Sequence, residues 1–149
     1  MTGPAPSAGS TPGPAAGPVL VIGTGLIGAS IALALRERGT EVWLQDRDPE
    51  ALAVAVERGA GVPRPAQGEP ALVIVAVPPA VAPSVVIDAL RSTVEATVSD
   101  VVSTKARLQH EVETSGLDPT AIARFVPGHP MAGREVSGPG AARADLFAD

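Results

Sequence analysis

The sequence predicts an α/β protein: a doubly wound, mostly parallel sheet with flanking helices. Three observations carry this expectation. Short apolar runs alternate with helix-forming stretches along the chain. A glycine-rich turn, Gly23-Thr24-Gly25-Leu26-Ile27-Gly28, follows the first run directly and opens the first helical stretch. An acidic residue, Asp46, closes the second run, near the roughly 20-residue spacing found in Rossmann-type dinucleotide-binding units.

Each element has a local reason. Val19 to Ile22 is a four-residue apolar run ending at Gly23, which reads as a buried strand. Leu26 to Arg38 is rich in Ala and Leu, carries basic residues in its last turn and stops at Gly39, the pattern of a capped helix. Glu41 to Gln45 is the second strand. Asp48-Pro49-Glu50 offers an N-cap followed by proline at the first helical position, and the helix runs to about Arg58 before Gly59. Ala71 to Val77 is a continuous apolar strand closed by Pro78-Pro79. A helix at about Pro83 to Leu90, a strand at Thr97 to Val102, a helix at Lys105 to Thr114 and a short strand at Arg124 to Pro127 complete the alternation.

Residues 1–18 are rich in Pro, Gly, Ala, Ser and Thr, lack apolar periodicity, and read as a disordered leader before a domain at 19–149. Apolar residues make up 45% of the chain and aromatics only 2%, so the core must be built from Ala, Val, Leu and Ile. A net charge of -5 argues against nucleic acid as a partner. No cysteine is present and only two histidines, which argues against a metal site. No apolar run approaches the ~20 residues that span a bilayer, and the N-terminus lacks the basic start of a signal peptide, so the cytoplasm is the expected compartment.

The glycine-rich turn has a physical job at each position. Gly23 permits the tight turn, Gly25 lets a pyrophosphate approach the backbone, and Gly28 lets helix and strand pack closely. The N–H groups of the helix N-terminus, around Leu26 and Ile27, favour the pyrophosphate's charge. Asp46 would accept hydrogen bonds from the adenosine ribose hydroxyls, which favours NAD, while the adjacent Arg47 leaves NADP open. Open α/β sheets bind ligands at the carboxyl ends of their strands. Val77 and Pro78 fall there and are assigned to the cofactor side.

Two further segments reach the same edge: Ser103-Thr104-Lys105 and Gly128-His129-Pro130 onward. Ser103 suits either a site residue or an N-cap of the following helix. Lys105 is the only lysine of the chain, and suits either a site group or a solvated residue opening that helix. His129 sits between Gly128 and Pro130, where a loop displays the ring. A neutral imidazole there could act as general base, or could simply be a loop histidine. His110 lies mid-helix among polar neighbours and reads as a solvated residue.

These residues together resemble the prephenate dehydrogenase family, which includes arogenate dehydrogenases. The resemblance covers about Val19 to Phe147. It is carried by VIGTGLIGASIALALRERG, by Ala76 to Pro79, by Asp100 to Lys105, and above all by Gly128-His129-Pro130-Met131-Ala132-Gly133 with Glu135, Ser137 and Gly138. It implies NAD-dependent oxidative decarboxylation of prephenate to 4-hydroxyphenylpyruvate, in tyrosine biosynthesis. It further implies that His129 takes the substrate hydroxyl proton, that Ser103 orients that hydroxyl, and that Glu135 and Lys105 lie near the substrate. Val102 departs from the glycine often found at this position in the family. Family members continue past the Leu146-Phe147 position into a helical domain that supplies dimer contacts and the arginine that pairs with substrate carboxylates. The chain therefore reads as the cofactor-binding part of such an enzyme, with a homodimer expected for a full-length relative.

Overall fold

The computed structural model describes residues 17–128. Its first strand, β1 (Val19–Ile22), is buried along its whole length, as an uninterrupted apolar run requires of a strand covered on both faces. The glycine-rich turn leads into α1 (Leu26–Glu37), and Gly39, at φ +81°, turns the chain after that helix. Next come β2 (Val42–Gln45) and α2 (Pro49–Glu57). Asp48 caps α2 by accepting the Glu50 N–H at 2.9 Å, with Pro49 in the first turn.

β3 (Val62–Pro63) follows, then β4 (Leu72–Val75), α3 (Ala82–Ser92), β5 (Thr97–Asp100), α4 (Lys105–Glu113), α5 (Pro119–Ile122) and β6 (Phe125–Val126). Two of these elements were not expected from the sequence. β3 is a two-residue exposed edge strand paired with Trp43 and Leu44, and α5 is a single turn capped by Asp118. Four expected strands are shorter: β2 begins at Val42 instead of Glu41, β6 spans Phe125–Val126 within the expected Arg124 to Pro127, and β4 and β5 end early. Ladder pairing of β4 stops at Val75, although the Ala76 N–H still reaches the Ile22 carbonyl at 2.7 Å. β5 stops at Asp100, whose side chain accepts the Val102 N–H at 2.8 Å and bends the chain out of the sheet.

All six strands are parallel, in the order β3-β2-β1-β4-β5-β6. The direction of winding reverses between β1 and β4, so a crevice opens beyond their carboxyl ends. Alternate residues of the strands feed two cores. Val19, Val21, Val42 and Leu44 pack with Ala32 of α1 and Ala55 of α2. Leu20, Ile22, Val73, Val75 and Val98 pack with Val86 and Leu90 of α3 and with Leu108 and Val112 of α4. At ~1.5–3 kcal/mol for each fully buried Val or Leu, these two layers supply the main drive to fold. Both cores are overwhelmingly aliphatic, as the composition requires; among the described residues Trp43 is buried in one of them at 7% exposure, and Phe125 packs partly buried against it.

The opposite edge of the sheet is tied by Arg124. Its guanidinium donates to the carbonyls of Leu90, Thr93 and Ala96 and to Thr93 Oγ1, at 2.7–2.9 Å. It thereby closes the C-terminus of α3 against the start of β5. Among the described residues, no helix is long and apolar enough to cross a membrane.

Candidate functional site

The glycine-rich turn lies where β1 meets the crevice, and its three glycines have different reasons to be glycine. Gly23 has φ +98°, and a Cβ there would sit 2.3 Å from the Ala76 carbonyl oxygen and 3.1 Å from Val77 Cγ1. A Cβ on Gly28 would sit 1.9 Å from the Gly23 carbonyl oxygen. Both positions are closed by packing of β1, α1 and the end of β4. Gly25 is unlike them. Its φ of -71° suits any residue, and among the described residues a Cβ there would meet nothing within 4 Å. Neither strain nor packing demands glycine at this position.

Gly25 is also the N-cap of α1, and no side chain caps the helix. The first-turn N–H groups, at Leu26 and Ile27, are the orphan donors of a helix start, beside a residue without a side chain. That is the arrangement a ligand phosphate requires: room at the backbone, donors, and the positive end of a helix dipole. The residues present fit a dinucleotide pyrophosphate on this ground.

Asp46 follows β2 on the same edge. Its Oδ2 accepts the Thr24 N–H at 2.7 Å and the Thr24 hydroxyl at 2.6 Å, and its Oδ1 accepts the Asp48 N–H at 2.8 Å. Partial burial raises the Asp46 pKa, but the bonds from the Thr24 hydroxyl and from the Asp48, Thr24 and Arg47 backbone outweigh it. The carboxyl is held below its ordinary range. Arg47 is exposed, and Arg64 donates to Gln45 Oε1 at 3.0 Å. Val77 is half-buried against the turn, and Pro78 is exposed. The Pro78 carbonyl accepts the N–H groups of Val81 and Ala82, each at 3.1 Å, and so launches α3.

A second cluster sits at the carboxyl ends of β5 and β6. Its centre is Asp100, a residue that sequence reasoning did not single out. The carboxylate is fully buried and accepts from the Val102 N–H at 2.8 Å, the Gly128 N–H at 3.2 Å and Lys105 Nζ. Lys105, 24% exposed, is thus the ion-pair partner of the buried Asp100 and not a freely solvated residue. A Cβ on Gly128 would meet the Asp100 carbonyl oxygen at 2.5 Å, so only glycine lets β6 approach β5 this closely.

Ser103 is exposed on the loop between Asp100 and α4. It is not the N-cap of α4. Thr104 holds that position, without a side-chain cap bond, because Lys105 already begins the helix. Ser103 and Gly128 thus flank one buried carboxylate at the same edge of the sheet. His110 is exposed on α4, as expected. His129 and Glu135 lie outside the described residues.

A family model described as the prephenate dehydrogenase nucleotide-binding domain matches residues 31–149. The chain is 43% identical over 129 residues to a Streptomyces niveus protein named probable prephenate dehydrogenase NovF, covering 86% of this chain and 34% of that protein. Among solved structures, prephenate dehydrogenase from A. aeolicus, in complex with hydroxyphenyl propionate and NAD+, superposes with a TM-score of 0.73 at 27% identity. It covers 87% of this chain and 47% of the other. Synechocystis arogenate dehydrogenase superposes with a TM-score of 0.71 at 26% identity, covering 87% and 46%. The chain therefore spans about a third of the curated relative and under half of either crystallised enzyme.

Proposed function

The chain belongs to the prephenate dehydrogenase nucleotide-binding domain family, and on that premise we propose that it is the NAD-binding part of an enzyme that oxidatively decarboxylates prephenate to 4-hydroxyphenylpyruvate. One observation carries the cofactor half of this reading. Gly25 leaves open space at an uncapped helix N-terminus while Gly23 and Gly28 are filled by packing. The turn would hold the pyrophosphate at Leu26 and Ile27, and Asp46 would take a ribose hydroxyl. The A. aeolicus relative was crystallised with NAD+, which supports NAD as the group.

Bound NAD supplies the hydride acceptor. The chain's own residues then have three tasks. His129 takes the proton of the substrate hydroxyl as the carbon–hydrogen bond of that ring carbon is broken. Ser103 orients the hydroxyl. Lys105 and Glu135 would stand near the substrate. Carbon dioxide leaves with its bonding electrons retained by the ring, which becomes aromatic, so holding donor and acceptor in line is the main demand on the protein. The likeness to an arogenate dehydrogenase is nearly as strong as that to the prephenate enzyme, and arogenate is the second substrate to assay.

The test has two parts. NADH titration of the chain, followed by fluorescence, should saturate; an unresponsive signal defeats the cofactor reading. Turnover with prephenate and with arogenate, in a protein that joins this chain to a family helical domain, should fall at least about a hundredfold in His129→Asn. Unchanged turnover removes His129 from the mechanism.

A further inference from the structure

We propose that Thr24 is a positioning residue for cofactor choice: it fixes the Asp46 carboxylate in one orientation, so that NAD is selected over NADP. The inference rests on the nucleotide-binding reading above and deepens it.

A carboxylate offers about four acceptor sites. Asp46 accepts the Thr24 N–H and hydroxyl on Oδ2 and the Asp48 N–H on Oδ1, and the Arg47 N–H also approaches the carboxylate. Thr24 thus fills the acceptor sites of Oδ2, and a ribose hydroxyl would approach from the Oδ1 side. Thr24 itself has no exposed surface, so its hydroxyl touches no ligand and acts only through Asp46. A hydroxyl bonded to an ionised carboxylate is shorter and stronger than a neutral pair, and the 2.6 Å distance fits that class. The same bond therefore fixes both the orientation and the charge of Asp46.

A ribose hydroxyl can donate to this fixed anion. A 2′-phosphate brings its own negative charge against it and has no proton to offer at neutral pH. Thr24 is not needed for the shape of the turn, which Gly23 and Gly28 already set through their packing. Without the hydroxyl, one backbone N–H alone would hold Oδ2, and the carboxylate would be free to rotate toward solvent and the exposed Arg47.

The experiment measures NADH and NADPH dissociation constants by fluorescence for the 149-residue chain and for T24V, T24S and T24A, with thermal unfolding of each. The wild type is expected to prefer NADH by about tenfold or more. T24V should cut that preference by about fivefold, chiefly by weakening NADH, and T24S should restore it. Should T24V lose its cooperative transition, the comparison of T24S with T24A isolates the hydroxyl without the branched methyl. A preference unchanged by loss of the hydroxyl overturns the inference. So does an equal weakening of both cofactors, which would make Thr24 a structural part of the turn only. A wild-type chain that binds neither cofactor overturns the nucleotide reading and this inference with it.

Discussion

Lys105 places its ammonium against the buried carboxylate of Asp100, five residues earlier, where β5 gives way to α4. The carboxylate has no exposed surface, whereas the lysine retains 24%. Asp100 also holds the backbone of Val102 and Gly128. A single anion therefore joins three segments at the carboxyl edge of the sheet.

Replacing it with a neutral isostere should be costly. In Asp100→Asn the amide nitrogen must face one of three donors, and Lys105 keeps its charge without a counter-ion. Loss of one partner from a buried ion pair typically costs about 3–5 kcal/mol. Urea denaturation should show a lowered midpoint at unchanged slope. A midpoint equal to that of the wild type would show that the cluster contributes nothing to stability.

The three glycines of the turn should separate stability from binding. Gly25→Ala adds a methyl to open space with an ordinary backbone angle, so the unfolding free energy should change by less than about 1 kcal/mol. NADH affinity should nevertheless fall tenfold or more, because the methyl occupies the approach to the helix N-terminus. Gly28→Ala drives a methyl to 1.9 Å from the Gly23 carbonyl oxygen and should cost several kcal/mol. Parallel calorimetric melts and NADH titrations distinguish the two. Equal effects of both substitutions on the melts would contradict the packing described.

Asp46 should make the fold sensitive to acid in one direction. Its folded pKa lies below the ordinary carboxylate value, so the unfolded state binds the proton more readily. The stability Asp46 contributes is then fully present above about pH 4 and is lost as pH falls through the lower, folded pKa. Asp46→Asn should be less stable than the wild type at pH 7, and the gap should narrow below about pH 4. Urea midpoints measured from pH 3 to 7 test this; a gap that widens on acidification would reverse the sign.

Much of the fold is legible in the sequence because the strands are buried on both faces and announce themselves as unbroken apolar runs. Val19–Ile22 is of this kind, and Leu72–Val75 nearly so, with Val73 and Val75 buried and Leu72 and Ile74 partly buried. Val62–Pro63 is not: its side chains are exposed, and its place in the sheet comes from backbone pairing with Trp43 and Leu44. Asp118-Pro119 carries the same cap signal as Asp48-Pro49, but its helix lasts one turn, too short for any apolar period to mark it. Within the site, the glycines and Asp46 are legible from spacing. Thr24 and Asp100 are not. Thr24 bonds a residue 22 positions away, and Asp100 looks like any polar strand end until β6 and α4 close over it. Local pattern names the groups that meet a ligand more readily than the groups that hold them.

The empty space beside Gly25 bears on how variants of this chain should be selected. A screen that rewards only folded, soluble protein would retain Gly23 and Gly28 and let position 25 drift, since a methyl there disturbs no neighbour. Libraries enriched that way would accumulate well-behaved chains that have silently stopped recognising nucleotide. Only a selection in which the ligand is present throughout would keep all three.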